Sequence, residues 1–168
     1  MGSVMEYRPG TPEDLDNVCS LLTDAVAEME KHGIFQWDEI YPARSDIEDD
    51  IRKDDLYVVE DKNGLIAFYV ISRECDGQYA NGSWKFDEDK AYILHRFCVA
   101  PKEQNKGLGR EILLHIEKQI KDMGYESIRL DVFTKNPFAQ NLYRHNGYES
   151  RGIADWRKGR FDLMEKKL

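Results

Sequence analysis

A strand, a glycine-containing loop and a long amphipathic helix follow one another in the second half of the chain. Residues 92–99 form an apolar run of strand length. Apolar residues then recur at helical spacing from Leu108 to Met123, and Gly124 ends the pattern. This order predicts a strand that leads through a glycine loop directly into the N-terminus of a helix.

Strands and helices alternate along the rest of the chain. Capping residues predict helix starts at Thr11 and Ser45, and Asn63-Gly64 predicts a hairpin turn. The other predicted elements are strands over 56–60, 65–71, 127–133, 148–154 and 160–165 and a helix over 137–145. No linker or internal repeat interrupts them, so residues 1–168 are predicted to form a single domain, a mixed sheet covered by helices.

Composition and charge exclude several classes of function. The net charge of −8 and the pI near 5.1 oppose binding to nucleic acid or acidic membranes and favour cationic partners. No apolar run approaches the roughly 20 residues of a membrane-spanning helix, and no secretory signal opens the chain. We therefore expect a cytoplasmic protein without a membrane or nucleic-acid partner. Residues 1–4, which precede Met5, are interpreted as a cloning remnant.

The cysteines and histidines do not have the spacing of metal ligands. Three cysteines predict free thiols in a reducing compartment. Cys98 lies inside the apolar strand, so we interpret it as a small core residue and not as a nucleophile. His32, His115 and His145 lack partner residues at ligand spacing, and no metal site is predicted.

The loop before the long helix has the chemistry of an anion site. Gly107 and Gly109 allow close approach of the backbone to a ligand, and the helix N-terminus presents unpaired N–H groups. Lys102, Lys106 and Arg110 add positive charge. The spacing matches neither a P-loop nor a dinucleotide-binding fingerprint. The loop predicts a pyrophosphate site, and a glycine-capped surface turn is the alternative.

Two motifs in this order resemble those of the GCN5-related N-acetyltransferases (GNAT family). The first follows the strand and reads Gln104-x-x-Gly107-x-Gly109. The second reads Asn136-x-x-Ala139-x-x-Leu142-Tyr143. The resemblance implies an α/β (α+β) fold with a mixed, mostly antiparallel central sheet of six or seven strands, flanked by about four helices. It also implies acetyl-CoA as co-substrate and transfer to a primary amine by direct attack in a ternary complex.

The resemblance assigns the cofactor site to the strand end, the loop, the first helical turn and the downstream helix. The implied CoA-binding residues are Phe97, Cys98, Val99, Gln104, Asn105, Lys106, Gly107, Leu108, Gly109, Arg110, Asn136, Ala139 and Tyr143. Tyr143 would also be catalytic, with its hydroxyl near the thioester sulfur, because a phenol can protonate the departing thiolate. The alternative is that Tyr143 only packs.

The acceptor amine arrives protonated, so a base or a water chain must remove a proton before attack. Alternation along the strand places His95 on one face with Ile93, Phe97 and Val99. Some family members carry Glu or His at the positions of Ile93 and His95. Ile93 departs from that pattern, and His95 fits it with an ordinary histidine pKa near 6.5. We predict His95 as the base, with a structural histidine as the alternative and Glu39 or a water chain as other bases.

The acceptor site is predicted from aromatic and acidic residues. Its candidate residues are Trp37, Glu39, Tyr41 and Tyr92, although the segment around Trp37 could instead cover the core. The acidic charge favours a small cationic amine as acceptor, and a protein N-terminus or lysine is the alternative. A non-catalytic CoA-binding regulatory domain is the alternative of another class. The expected assembly is a monomer or a homodimer.

Overall fold

The computed structural model describes residues 4–38, 41–104 and 106–168. These residues contain four α-helices and seven β-strands. The helices are α1 (Leu15–Lys31), α2 (Arg44–Arg52), α3 (Leu108–Asp122) and α4 (Pro137–His145). The strands are β1 (Glu6–Pro9), β2 (Leu56–Asp61), β3 (Gly64–Ser72), β4 (Ala91–Val99), β5 (Ser127–Phe133), β6 (Glu149–Trp156) and β7 (Gly159–Lys167).

The strands form one mixed sheet in the order β1-β2-β3-β4-β5-β7-β6. Strands β4 and β5 run parallel, whereas the pairs β1–β2, β2–β3, β5–β7 and β6–β7 are antiparallel. The predicted fold class, a mostly antiparallel sheet of six or seven strands with about four helices, is therefore confirmed. Strand β1 was not predicted, because its four residues carry no alternation of buried and exposed side chains.

The two predicted helix starts have different outcomes. Thr11 is the expected cap, because its backbone N–H donates to the Asp14 carboxylate over 2.7 Å at the start of the turn that leads into α1. The prediction of a cap at Ser45 is wrong. Helix α2 begins at Arg44, where Asp46 accepts from the backbone N–H of Ala43 over 2.7 Å. A carboxylate is a stronger acceptor than a serine hydroxyl, so the helix starts where Asp46 can cap it.

The chain divides into two compact units. The first comprises Met1–Ile71 with Arg96–Lys106, and the second comprises Ser72–His95 with Gly107–Leu168. Strand β4 therefore contributes residues 91–95 to the second unit and residues 96–99 to the first. The single domain over residues 1–168 stays a prediction.

The core of the first unit packs helices α1 and α2 on β2, β3 and the end of β4. Its fully buried members include Val18, Ile47 and Val58. Cys98 belongs to the same core at 4% exposure, which confirms its interpretation as a small core residue.

The core of the second unit includes one face of α3 and a smaller cluster beside β4. Helix α3 buries Ile112, Leu113, Ile116 and Ile120 completely, and its exposed residues are mostly charged apart from Leu114. The smaller cluster joins Tyr79, Ile93, Ala154 and Leu163. Within the described ranges, no helix combines the length and the apolar character needed to cross a bilayer.

Candidate functional site

The N-terminus of α3 leaves room for a ligand to approach the backbone closely, as Gly107 and Gly109 predict. Of the two, only Gly107 has a backbone conformation that favours glycine. Gly107 is the N-cap residue with a φ of +77°, a conformation that favours glycine. A Cβ added there meets no atom within 4 Å, so the space beside the cap is open. A Cβ at Gly109 would lie 3.7 Å from Cδ2 of Leu142, an ordinary contact. The first-turn N–H groups of α3 have no intrahelical partners and face a position suited to an anion.

The end of the preceding loop belongs to the first unit and is held by local contacts. Nε2 of Gln104 donates to the Val99 carbonyl over 3.2 Å. Nζ of Lys106 lies 3.3 Å from Oε2 of Glu103, and the lysine side chain is 59% exposed. The loop therefore exposes the ammonium group of Lys106, and the Gln104 side chain ties the loop to the end of β4. Asn105, a predicted CoA-binding residue, lies outside the described residues.

Strand β4 separates from β5 after a short parallel ladder. The pairs run from Ala91–Ser127 to Ile93–Arg129, although both strands continue beyond them. Among the described residues, β4 therefore has no ladder partner on β5 from Leu94 onward. Such an unpaired strand edge offers backbone groups to an extended ligand.

The predicted strand residues differ in accessibility. Phe97 and Val99 are partly exposed, whereas Cys98 is buried and only its backbone can face a ligand. The ring of Tyr92, predicted for the acceptor site, contacts the Tyr125 ring with centroids 4.6 Å apart.

His95 lies in the second unit and is partly exposed. Its Nε2 lies 2.7 Å from Oγ of Ser72, a hydrogen bond whose direction depends on the tautomer of the ring. Oγ of Ser72 also accepts from the backbone N–H of Glu74 over 3.2 Å. The histidine is thus oriented by a buried serine, which is compatible with a positioned base and with a structural role.

The second motif begins with Asn136 at the N-terminus of α4. Oδ1 of Asn136 accepts from the backbone N–H of Ala139 over 3.1 Å, so Asn136 is the N-cap of α4. This hydrogen bond fixes the Asn136 side chain at the N-terminus of α4. Its contact with the CoA arm stays a prediction.

Tyr143 lies in the last turns of α4 and is 8% exposed. Its ring packs edge-on against Tyr148, with centroids 5.5 Å apart. Burial raises the pKa of the Tyr143 hydroxyl well above its ordinary value, and the negative charge of Asp131 raises it further. The phenol therefore stays protonated at neutral pH, so its O–H can donate a hydrogen bond to an anion, and it cannot act as a base.

The predicted acceptor-site residues of the first unit differ in their contacts and exposure. Trp37 packs against the hydrophobic core, as in the alternative that this segment covers the core. Tyr41 is 45% exposed, and its hydroxyl accepts from Nη2 of Arg96 over 3.2 Å. Arg96 also pairs with Asp50 over 2.7 Å, and burial raises the pKa of Asp50 to about 6. Glu39 lies outside the described residues.

Sequence reasoning missed one polar pair of the second unit. Oη of Tyr79 donates to Oδ2 of Asp131 over 2.7 Å. In the sequence, Asp131 could be noticed as the one acidic residue among the apolar residues that end β5. Tyr79 lies in the connection between β3 and β4, and no local pattern indicated its partner. In the part of the chain that the structure describes, no three His, Cys, Asp or Glu side chains are grouped to hold a metal ion.

Comparisons with known proteins agree on one family. The sequence profile of the Acetyltransferase (GNAT) family matches residues 21–148. The uncharacterized N-acetyltransferase YesJ of Bacillus subtilis (strain 168) is 26% identical over 163 residues, which cover 95% of this chain and 88% of that protein.

Solved structures of similar proteins agree with this match. A GNAT-family acetyltransferase from Streptococcus agalactiae superposes with a TM-score of 0.86 at 25% identity, covering 98% of this chain and 95% of that one. The PaiA N-acetyltransferase from Thermoplasma acidophilum, solved in complex with coenzyme A, gives a TM-score of 0.72 at 20% identity, with 98% and 99% covered. At this lower identity, the second likeness shows the fold alone.

Proposed function

The chain belongs to the Acetyltransferase (GNAT) family, and from this premise we propose that it acetylates a small cationic amine by direct attack in a ternary complex. Membership makes it an acetyl-CoA-dependent N-acetyltransferase. Bound acetyl-CoA supplies the thioester from which the acetyl group is transferred. The residues of this chain bind acetyl-CoA and the acceptor amine, orient them for attack, and donate to the departing thiolate.

The start of α3 fits the pyrophosphate of CoA. Gly107 leaves open space at the cap, and the helix dipole with its unpaired N–H groups favours a negative charge there. Lys106 and Arg110 are exposed cations at the two ends of this turn. The unpaired edge of β4 would take the extended pantetheine arm.

Burial of Cys98, the cysteine on the strand proposed to hold the acetyl-CoA arm, supports direct attack. Cys98 is 4% exposed, and burial raises its pKa well above the ordinary range for a thiol. A thiol that stays protonated and enclosed is not a nucleophile, so no acetyl-cysteine intermediate forms there. Tyr143, also protonated at neutral pH, instead donates to the departing thiolate.

The acceptor amine must lose a proton on the way to attack. His95 is the candidate base of the described residues, because Ser72 holds its ring in a defined orientation. The net charge of −8 favours an acceptor that carries positive charge in solution.

Initial rates with both substrates varied would test this function. CoA thiol release is measured over a panel of small amines, with lysine-containing and N-terminal peptides in the same assay. Activity with small amines and intersecting double-reciprocal lines support the proposal. Parallel lines would instead indicate an acetyl-enzyme, and a preference for peptides would contradict the small-amine acceptor.

A further inference from the structure

A carboxylate on β5 is fixed near the proposed acid. The Asp131 carboxylate accepts from the Tyr79 hydroxyl over 2.7 Å. Tyr79 is 4% exposed, so its ring is held by its surroundings, whereas residue Asp131 is partly exposed. Asp131 lies on β5, and α4, which carries Tyr143, packs against that strand. The negative charge of Asp131 also contributes to the raised pKa of Tyr143.

A strip of aromatic rings adjoins this carboxylate. Tyr79 contacts Trp84 at 5.7 Å and Trp156 at 6.5 Å between ring centroids. Trp156 meets Phe161 at 5.2 Å, and Phe161 meets Phe133 at 5.1 Å. Trp156 is partly exposed at the middle of the strip. A carboxylate beside aromatic rings is the combination that binds ammonium groups.

The segment that supplies Tyr79 is anchored firmly. Residues 73–90 join two neighbouring strands of the sheet, far more than a hairpin needs, and long connections of this kind are often functional. The indole N–H of Trp84 donates to the Tyr79 carbonyl over 2.7 Å. The guanidinium of Arg129 lies 4.5 Å from the Trp84 ring centroid. Glu165, 1% exposed, accepts from the backbone N–H of Lys85 over 2.6 Å. Tyr79 is therefore preorganised, and so is the carboxylate that it orients.

We propose that Asp131, oriented by Tyr79, binds a positively charged group of the acceptor other than the amine that is acetylated. The preferred acceptor is then a diamine or another small molecule with a second cation. This inference rests on the proposed function and specifies its acceptor. The attacking nitrogen must be neutral, so a carboxylate that stabilises a cation acts on a second charge and not on the nucleophile.

Two acceptors with the same four-carbon chain distinguish binding of a second cation from a general effect on activity. The probes are 1,4-diaminobutane and butylamine, which differ by one amino group and hence by one positive charge near neutral pH. The wild type should have the higher kcat/KM with the diamine. Asp131→Asn keeps an oxygen that can accept from Tyr79. It should lower the diamine kcat/KM roughly ten- to a hundredfold, as for loss of a hydrogen bond to a charged group, and change butylamine by less than about threefold.

Two further variants act as controls. Asp155→Asn removes the same charge from a carboxylate that is 68% exposed and pairs with Arg160, so it should leave both probes unchanged. Tyr79→Phe keeps the ring but removes the hydrogen bond that orients the Asp131 carboxylate, so it should raise KM for the diamine more than it lowers kcat. A calorimetric titration of 1,4-diaminobutane into the enzyme with CoA should show weaker binding for Asp131→Asn.

Three results would overturn the inference. If Asp131→Asn lowers kcat/KM equally for the diamine and for butylamine, Asp131 only holds Tyr79 in place and binds no second cation. Equal effects of Asp131→Asn and Asp155→Asn would reduce the role to net charge. A wild type that prefers butylamine would remove the second-cation site while leaving amine acetylation intact. By contrast, a wild type that releases no thiol with any amine contradicts the proposed function itself, so the two failures are distinguishable.

Discussion

Nε2 of His95 and Oγ of Ser72 are joined by a hydrogen bond of 2.7 Å at the junction of β3 and β4. Ser72 is 7% exposed and its oxygen also accepts from the Glu74 backbone. If Nε2–H donates to the serine hydroxyl, Nδ1 is the unprotonated nitrogen that can take up a proton, whereas a hydroxyl that donates to Nε2 engages the single lone pair of that nitrogen. The same contact would satisfy a purely structural histidine, so rate and stability have to be measured together.

We predict that His95→Gln lowers kcat/KM and removes the acidic limb of its pH profile. Glutamine keeps hydrogen bonding to Ser72 but cannot take up a proton in the range of roughly pH 6 to 7 where imidazole titrates. Ser72→Ala is the matched control, because it removes the orienting hydroxyl and keeps the imidazole, so the limb should persist. If His95→Gln lowers only the melting temperature and the limb remains, the histidine is structural and another group is the base.

Gly107→Ala should weaken CoA binding about tenfold or more, because its new Cβ points into the open space beside the helix cap. Gly124→Ala is its control at the other end of α3, with a φ of +98° and likewise no atom within 4 Å. Both variants strain a left-handed residue and should lose a similar stability, about 1 kcal/mol. Calorimetric titration with CoA should separate them. Equal CoA affinities for the two folded variants would contradict the pyrophosphate site.

Stability should depend on pH through Asp50. Burial raises its folded pKa to about 6, with Arg96 opposing the shift, whereas an unfolded aspartate titrates near pH 3.9. The stabilising contribution of the protonated carboxyl is therefore complete below about pH 4 and is lost as pH rises through about 6. Asp50→Asn does not titrate, so its stability relative to the wild type should rise by roughly 2 kcal/mol between pH 4 and 7.

The control for Asp50 is its neighbour on the same helix. Asp49 is 50% exposed and pairs with Arg52 at the surface, so Asp49→Asn should change the free energy of unfolding by less than about 1 kcal/mol. Thermal melts in matched buffers give both comparisons. A flat profile for Asp50→Asn would mean that burial does not raise the pKa of Asp50.

The sequence predicted the parts of the fold that are determined by residues only a few positions apart, such as helix ends and turns. Gly124 follows α3 with a φ of +98°, and Gly64 in the predicted hairpin turn has a φ of +113°, both positive. Asn136 caps α4 through a bond to a residue three positions later. The error at Ser45 arose because two acceptors competed for one helix start, and the aspartate prevailed.

Side-chain partners far apart in the sequence could not be predicted. The Tyr79–Asp131 bond joins residues 52 positions apart, and only the fold brings them together. The core position of Trp37 was one of two readings, because an aromatic residue in an irregular segment gives no periodicity that separates a ligand wall from core cover. The role of Tyr143 rests on the family motif, with its burial as physical support.

Replacement of Tyr143 by phenylalanine tests the proposed chemistry most directly. Only the hydroxyl is lost, so kcat should fall by roughly 10–10³-fold while KM for acetyl-CoA changes little. Because the pKa of Tyr143 is raised, the wild-type phenol stays protonated from pH 6 to 9 and the ratio of rates should stay constant over that range. Tyr148→Phe is the control. It removes a neighbouring hydroxyl bonded to Glu117 over 2.8 Å, so it should lower the melting temperature and leave kcat within about threefold.

The decisive number is kcat of Tyr143→Phe relative to that of Tyr148→Phe, measured at saturating acetyl-CoA with the best amine of the panel. We expect the first variant to be slower by at least about tenfold at every pH from 6 to 9. If Tyr143→Phe retains kcat within twofold of the wild type across that range, Tyr143 is a packing residue and the thiolate takes its proton from water.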